Sequence, residues 1–141
     1  MFEAIDHIFN RVSQILLKPA QFLLRFSLGI AFIIHGYKKF PLPPQNLIEY
    51  FDFSPFLANF VAISELSAGI CLILSGFLKN FIGSIITRIS ASIMMIIMIF
   101  AFYIAHKDWF INSKLFTSEQ FFLFILSFYF LIVGNRSIKN I

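Results

Sequence analysis

The chain reads as an all-α protein built as a four-transmembrane-helix bundle with an N-terminal amphipathic interfacial helix. Three observations predict this. Of 141 residues, 59% are apolar, against ~45–50% in a typical soluble domain. Charged residues make up 13%, about half the usual ~25%. The apolar supply, about 83 residues, falls into four runs, each close to the ~20 residues that cross a hydrocarbon layer. A soluble globular domain and a disordered chain are excluded by this arithmetic. Nucleic acid is not an expected partner, because the net charge of +4 has no clustered basic face behind it.

The elements follow in order. Phe2, Ile5, Phe9, Val12 and Leu16 recur in steps of three and four, a helical stripe. With Arg11 and Lys18 on other faces, residues 1–18 are expected to lie in the membrane interface. Glu3 and Asp6 precede any positive charge, unlike the basic start of a cleavable signal. Residues 19–137 form the expected membrane domain, and 138–141 a short tail. Span one is expected over 19–37, because Pro19 suits a first helical turn and Lys38-Lys39 end the run. Pro41, Pro43 and Pro44 break the helix, and 46–51 leaves room for one or two turns. Span two is expected over 56–78 with Glu65 its only charge, then a tight turn at Lys79-Asn80. Span three, 82–105, carries Arg88, and span four covers 119–133.

Four spans put both termini on one side. That side gathers Arg11, Lys18, Lys79, Arg136 and Lys139, with Arg25 and Arg88 nearby; Lys38, Lys39, Lys107 and Lys114 lie opposite. The positive-inside rule then predicts a multi-pass inner-membrane protein with both termini cytoplasmic. Cys71, the single cysteine, rules out an intramolecular disulfide, a CxxC redox pair or a thiolate zinc site. Deep in an apolar run, it is expected to be a small core residue.

Ionisable groups inside a bilayer cost ~2.5–3.5 kcal/mol each on insertion scales, so they face the bundle interior and seek partners. At 100° per residue, Arg25, Gly29, Phe32 and Gly36 share a stripe on span one, with His35 on its shoulder. Ala58, Ala62, Glu65, Gly69, Leu72 and Gly76 share one on span two; Ser84, Arg88, Ser92, Met95, Ile99 and His106 share one on span three. Arg25 and Arg88 belong to the inner half, while His35, His106 and Glu119 share the outer rim. Glu65 lies between them, within reach of either arginine. It is expected to act as a proton acceptor or as half of a structural ion pair. No metal-ligand spacing appears among these residues.

The order of these residues resembles the DoxX family of small four-helix membrane proteins. The resemblance is carried by Arg25-Phe-Ser-Leu-Gly29 leading into His35-Gly36-Tyr-Lys38-Lys39-Phe40, by Ser54-Pro55, and by Glu65 with Gly69. It continues through His106 with Trp109-Phe110, Glu119-Gln-Phe, and Gly134 with Arg136-Ser137, covering about residues 19–137. The tail departs from the family's Gly-Pro-Gly-Arg pattern, reading Gly134-Asn135-Arg136. The glycine-rich stretch before the span-four Glu is replaced by 112–117. The resemblance implies a link to quinone-dependent oxidoreductase complexes for some relatives and to assembly or trafficking for more distant ones.

The leading expectation is a redox-associated subunit that binds a quinone between its helices. His35 and His106 would donate to the quinone oxygens, Trp109 would stack nearby, and Glu65 would accept the proton. Arg25 and Arg88 would hold the Glu65 carboxylate charged or bind lipid phosphate, with Glu119 at the rim. Electrons would come from a redox or other membrane-protein partner; membrane lipid is a second partner, and self-association is open. A non-catalytic scaffold or assembly factor is the alternative, and a small transporter the third.

Overall fold

The computed structural model describes residues 2–105 and 113–135. It is helical throughout: α1 (Phe2–Tyr37), α2 (Gln45–Phe51), α3 (Pro55–Ser75), α4 (Phe81–Ala105), a 3-10 turn (Ser113–Thr117) and α5 (Glu119–Val133). Among the described residues, three helices are long and apolar enough to cross a membrane, over Ile5–Tyr37, Pro55–Ser75 and Phe81–Ile104. The apolar α5 is shorter, at 15 residues.

The largest departure from the expected elements lies at Pro19. It sits inside one continuous 36-residue helix, not at the start of a second one. A proline removes one N–H and crowds the carbonyl four residues back. Both flanks keep helical periodicity, so a single lost bond does not end the helix. At 1.5 Å per residue α1 is ~54 Å long, well beyond a ~30 Å hydrocarbon layer.

Local chemistry sets the other ends. The Ser54 hydroxyl accepts from the Leu57 N–H at 3.3 Å, with Pro55 in the first turn of α3. Ser118 caps α5 in the same way, accepting from Phe121 N–H at 3.2 Å. Asn80 Oδ1 accepts from Gly83 N–H at 2.9 Å where α4 begins. Asp52 closes α2 in the left-handed region, φ 54°, a conformation its short polar side chain tolerates.

The helices pack in sequence order: α1 against α3, α3 against α4, α4 against α5, with only a narrow strip of α1 touching α5. The core is small. It comprises Leu28 and Phe32 of α1, Ala68 and Leu72 of α3, Ala91, Met94, Met98 and Phe102 of α4, and Leu123 and Phe130 of α5. Around it Leu23, Phe60, Leu74, Ile89, Phe100, Phe122 and Ile132 are exposed, an apolar skin that water does not tolerate at this extent. Cys71 belongs to that skin, not to the core. In a bilayer the lipid-facing positions are as apolar as the buried ones, so an apolar neighbourhood does not mark the interior.

The small-residue stripes on α1 and α3 face each other. A Cβ on Gly69 would stand 2.6 Å from the Gly29 carbonyl oxygen, and one on Gly36 would stand 2.7 Å from the Leu66 amide nitrogen. Helices in lipid associate through such close packing, because the surrounding tails supply no hydrophobic drive. On α4 the expected face is rotated by about one residue. The buried positions are Gly83, Thr87, Ser90, Ala91, Met94, Met98 and Phe102, while Arg88, Ser92 and Met95 lie on the shoulder. The Gly36→Ala and Gly69→Ala variants should each lose about 1–3 kcal/mol by overpacking. Thermal unfolding in detergent should show both losses, and little change for Cys71→Ala.

Candidate functional site

Three polar constellations are built into the bundle. The first centres on Arg25, only 6% exposed. Its Nη1 donates to the Leu72 carbonyl at 2.9 Å, Ser75 Oγ at 3.2 Å and Thr87 Oγ1 at 2.8 Å. Its Nη2 donates to the Gly134 carbonyl at 3.2 Å and Asn135 Oδ1 at 2.6 Å. The Phe130 ring lies 4.8 Å from the guanidinium carbon, a cation–π contact. Asn135 Nδ2 in turn donates to the carbonyls of Ser75 (2.7 Å) and Leu78 (2.9 Å), and Thr87 Oγ1 donates to Asn135 Oδ1 at 2.6 Å. One guanidinium thus joins α1, the end of α3, α4 and the turn after α5.

Helix ends explain why the acceptors are available. The last carbonyls of a helix have no donor within it, and the Leu72 carbonyl belongs to the final turn of α3. Arg88 serves α5 in the same manner, donating to the carbonyls of Leu131 (2.7 Å) and Ile132 (2.6 Å). Neither arginine meets Glu65. Thr87, Ser75 and Asn135 were missed from sequence because neutral hydroxyls and amides attract no attention beside a charge. The signal available was their position: Ser75 ends α3, Asn135 follows the end of α5, and Thr87 lies within two turns of the start of α4, all on the side of Arg25.

The second constellation is at the opposite end of the bundle. Glu65, 3% exposed, receives a hydrogen bond and salt bridge from the Lys39 ammonium. Lys39 follows the end of α1 and turns back toward α3. The sequence marks it as a residue that ends an apolar run and as one of the outer positive charges, and offers no partner for it. Its flexible four-carbon stem is what lets it reach a carboxylate below the helix end. The pair borders a cavity of about 320 Å³ lined otherwise by apolar side chains: Leu47 and Phe51 of α2, Phe53 of the α2–α3 loop, Leu57 and Val61 of α3, and Ile97, Phe100, Ala101 and Ile104 of α4. Ligand pockets have this character, mostly apolar with a few convergent polar groups.

The third is an exposed pair at the same end. His35 Nε2 lies 3.2 Å from Glu119 Oε1, joining the last turn of α1 to the first turn of α5. These two were expected on one rim and are neighbours there, but neither lines the cavity. His106 and Trp109 lie outside the described residues. Of the expected set, Glu65 reaches the cavity, Arg25 and Arg88 bind helix ends, and His35 joins Glu119.

Comparison with known families adds one decisive observation. The DoxX family profile matches residues 20–107. The chain belongs to the DoxX family. DoxX proteins are small membrane proteins. The matched segment holds Arg25, His35, Lys39, Glu65 and Arg88, and ends just past α4. It stops short of 112–117 and of Gly134-Asn135, so Asn135, which binds Arg25, lies outside the matched segment. Curated proteins and solved structures yielded no match.

Two stability outcomes follow. Arg25→Ala should cost about 3–5 kcal/mol, since it strips a charged donor from several buried acceptors. Arg25→Lys should recover only part, because an ammonium cannot reproduce the planar fork. Denaturant or thermal unfolding in detergent reads both. For the second pair, Lys39→Met and Glu65→Gln should each cost up to about 3 kcal/mol by leaving a partner behind. The double variant should lose less than the sum, and a double-mutant cycle measures the difference.

Proposed function

We propose that this DoxX protein is a quinone-interacting subunit of an inner-membrane redox complex, with the ring held in the cavity above Lys39 and Glu65. The observation that carries the reading is the composition of that cavity. Its walls are apolar, and its single polar feature is an ammonium beside a carboxylate. A quinone ring and tail suit such walls, and its carbonyl oxygen needs a donor, which the Lys39 ammonium supplies. Reduction of a quinone to a quinol takes up two electrons and two protons. The electrons come from a redox partner, and Glu65 relays protons to the ring oxygens while Lys39 holds the charge. His35 and Glu119 stand at the same end of the bundle, where protons enter. His106 and Trp109 retain the donor and stacking roles assigned to them.

In this reading α5 is the fourth crossing, both termini are cytoplasmic, and the cavity opens toward the outer half of the membrane. The first turns of α1 lie beyond the hydrocarbon, with their apolar stripe on the membrane surface. A scaffold or assembly role is the second reading. It draws support from the Lys39–Glu65 pair itself, which neutralises both charges without any ligand.

The Lys39→Gln/Glu65→Gln double variant separates the two, because it leaves no unpaired charge and is expected to fold. Protein purified in native lipid is assayed by mass spectrometry for co-purifying quinone. Near-stoichiometric quinone in the wild type and a loss of about 10-fold or more in the double variant, at similar melting temperature, is the expected result. Equal quinone in both would sink the cavity assignment. An absence of quinone alongside a co-purifying membrane protein would favour the scaffold.

A further inference from the structure

At the opposite end of the bundle from Glu65 lies a second cavity, of about 410 Å³. Its lining carries three cations, Lys18 and Arg25 of α1 and Lys79 of the α3–α4 turn, together with the Gln21 amide. No Asp or Glu lines it. Among the described residues, the only ion pairs are His35–Glu119 and Lys39–Glu65, so none of these cations is matched by a carboxylate. Every acceptor that Arg25 uses is neutral. A buried guanidinium with two lysines beside it and no anion is an electrostatic deficit that a low-dielectric surround magnifies.

The cavity's neighbours show the shape of what would fill it. Phe22 lines it, and its ring packs edge-on against Phe77 at 5.7 Å and stacks on Phe26 at 5.9 Å. Phe22, Phe26 and Phe77 are all exposed, forming an apolar flank beside the cationic site. An anion with a hydrocarbon chain satisfies both parts at once. We propose that the Lys18–Arg25–Lys79 cavity binds the phosphodiester headgroup of a net-anionic phospholipid, with its acyl chains along the Phe22–Phe77 flank. The assignment is independent of the quinone reading, since the two cavities share no residue.

The test uses the full chain in detergent, titrated with phosphatidylglycerol or phosphatidylcholine of identical acyl chains, or with inorganic phosphate. Binding is read by native mass spectrometry and by the shift in melting temperature. Phosphatidylglycerol should bind the tighter of the two lipids. Lys18→Gln/Lys79→Gln, at two exposed positions, should weaken it by about 30-fold and leave phosphatidylcholine nearly unchanged. Lys38→Gln/Lys114→Gln, outside the cavity, should retain wild-type affinity for phosphatidylglycerol. Equal affinity for the two lipids, or an unchanged phosphatidylglycerol affinity in Lys18→Gln/Lys79→Gln, would overturn the proposal. So would full stabilisation by inorganic phosphate with no added gain from the lipid, which would make the ligand a soluble anion.

Discussion

A guanidinium buried in an apolar bundle must direct its N–H groups to oxygens, and Arg25 does so across four segments of the chain. The Leu72 carbonyl, Ser75, Thr87, Gly134 and Asn135 converge on it. Other features at that end of the molecule depend on this. The end of α3 is held by it, the start of α4 is aligned through Thr87, and the turn after α5 is drawn over it. The α1–α5 contact is otherwise a narrow strip, reinforced by Gln21 donating to the Tyr129 hydroxyl at 3.0 Å. The polar hub thus ties α1 to the turn after α5 in a bundle whose main contacts run α1–α3, α3–α4 and α4–α5.

The opposite end is organised differently. There the charge is matched by charge, Lys39 with Glu65, and the apolar space beside the pair is left unfilled by side chains. The cavity of about 320 Å³ beside the buried ion pair is open to the surroundings of the bundle and is walled almost entirely by apolar side chains. The short helix α2 and the chain leading into α3 form one wall of it. The loop is therefore part of the cavity and not only a connection.

Much of this is legible in sequence because a bilayer imposes few solutions on a chain. The helical course of 55–75, 81–105 and 119–133, the α2 turns and the facing stripes of Gly29, Gly36 and Gly69 follow from length and helical phase alone. Lys39 does not, because a lysine past a helix end has many places to go, and only the folded α3 shows which carboxylate it meets. The buried face of α4 also escapes. Its exposed and buried positions are equally apolar, and Arg88 drew the phase toward itself although it caps α5 from the shoulder. Thr87, one residue earlier, occupies the true interior. The continuity of α1 through Pro19 was hidden for a related reason: a proline is read as a boundary, while the flanking stripes carry the helix across it.

The unequal helix lengths have a consequence for the lipid. At 1.5 Å per residue α4 rises ~37 Å and α5 only ~22 Å. With α5 as the fourth crossing, a ~30 Å hydrocarbon layer is matched on one flank and is ~8 Å too thick on the other. On that proposed arrangement the membrane would pinch beside α5, at a cost on the order of a few kcal/mol, wherever lipid alone borders it. Thinner bilayers relieve that tension, and so does a helix of another protein lying against α5. On the proposed four-crossing arrangement the bundle would not be isotropic in the plane of the membrane: lipid would cover its α5 flank less well than its α4 flank.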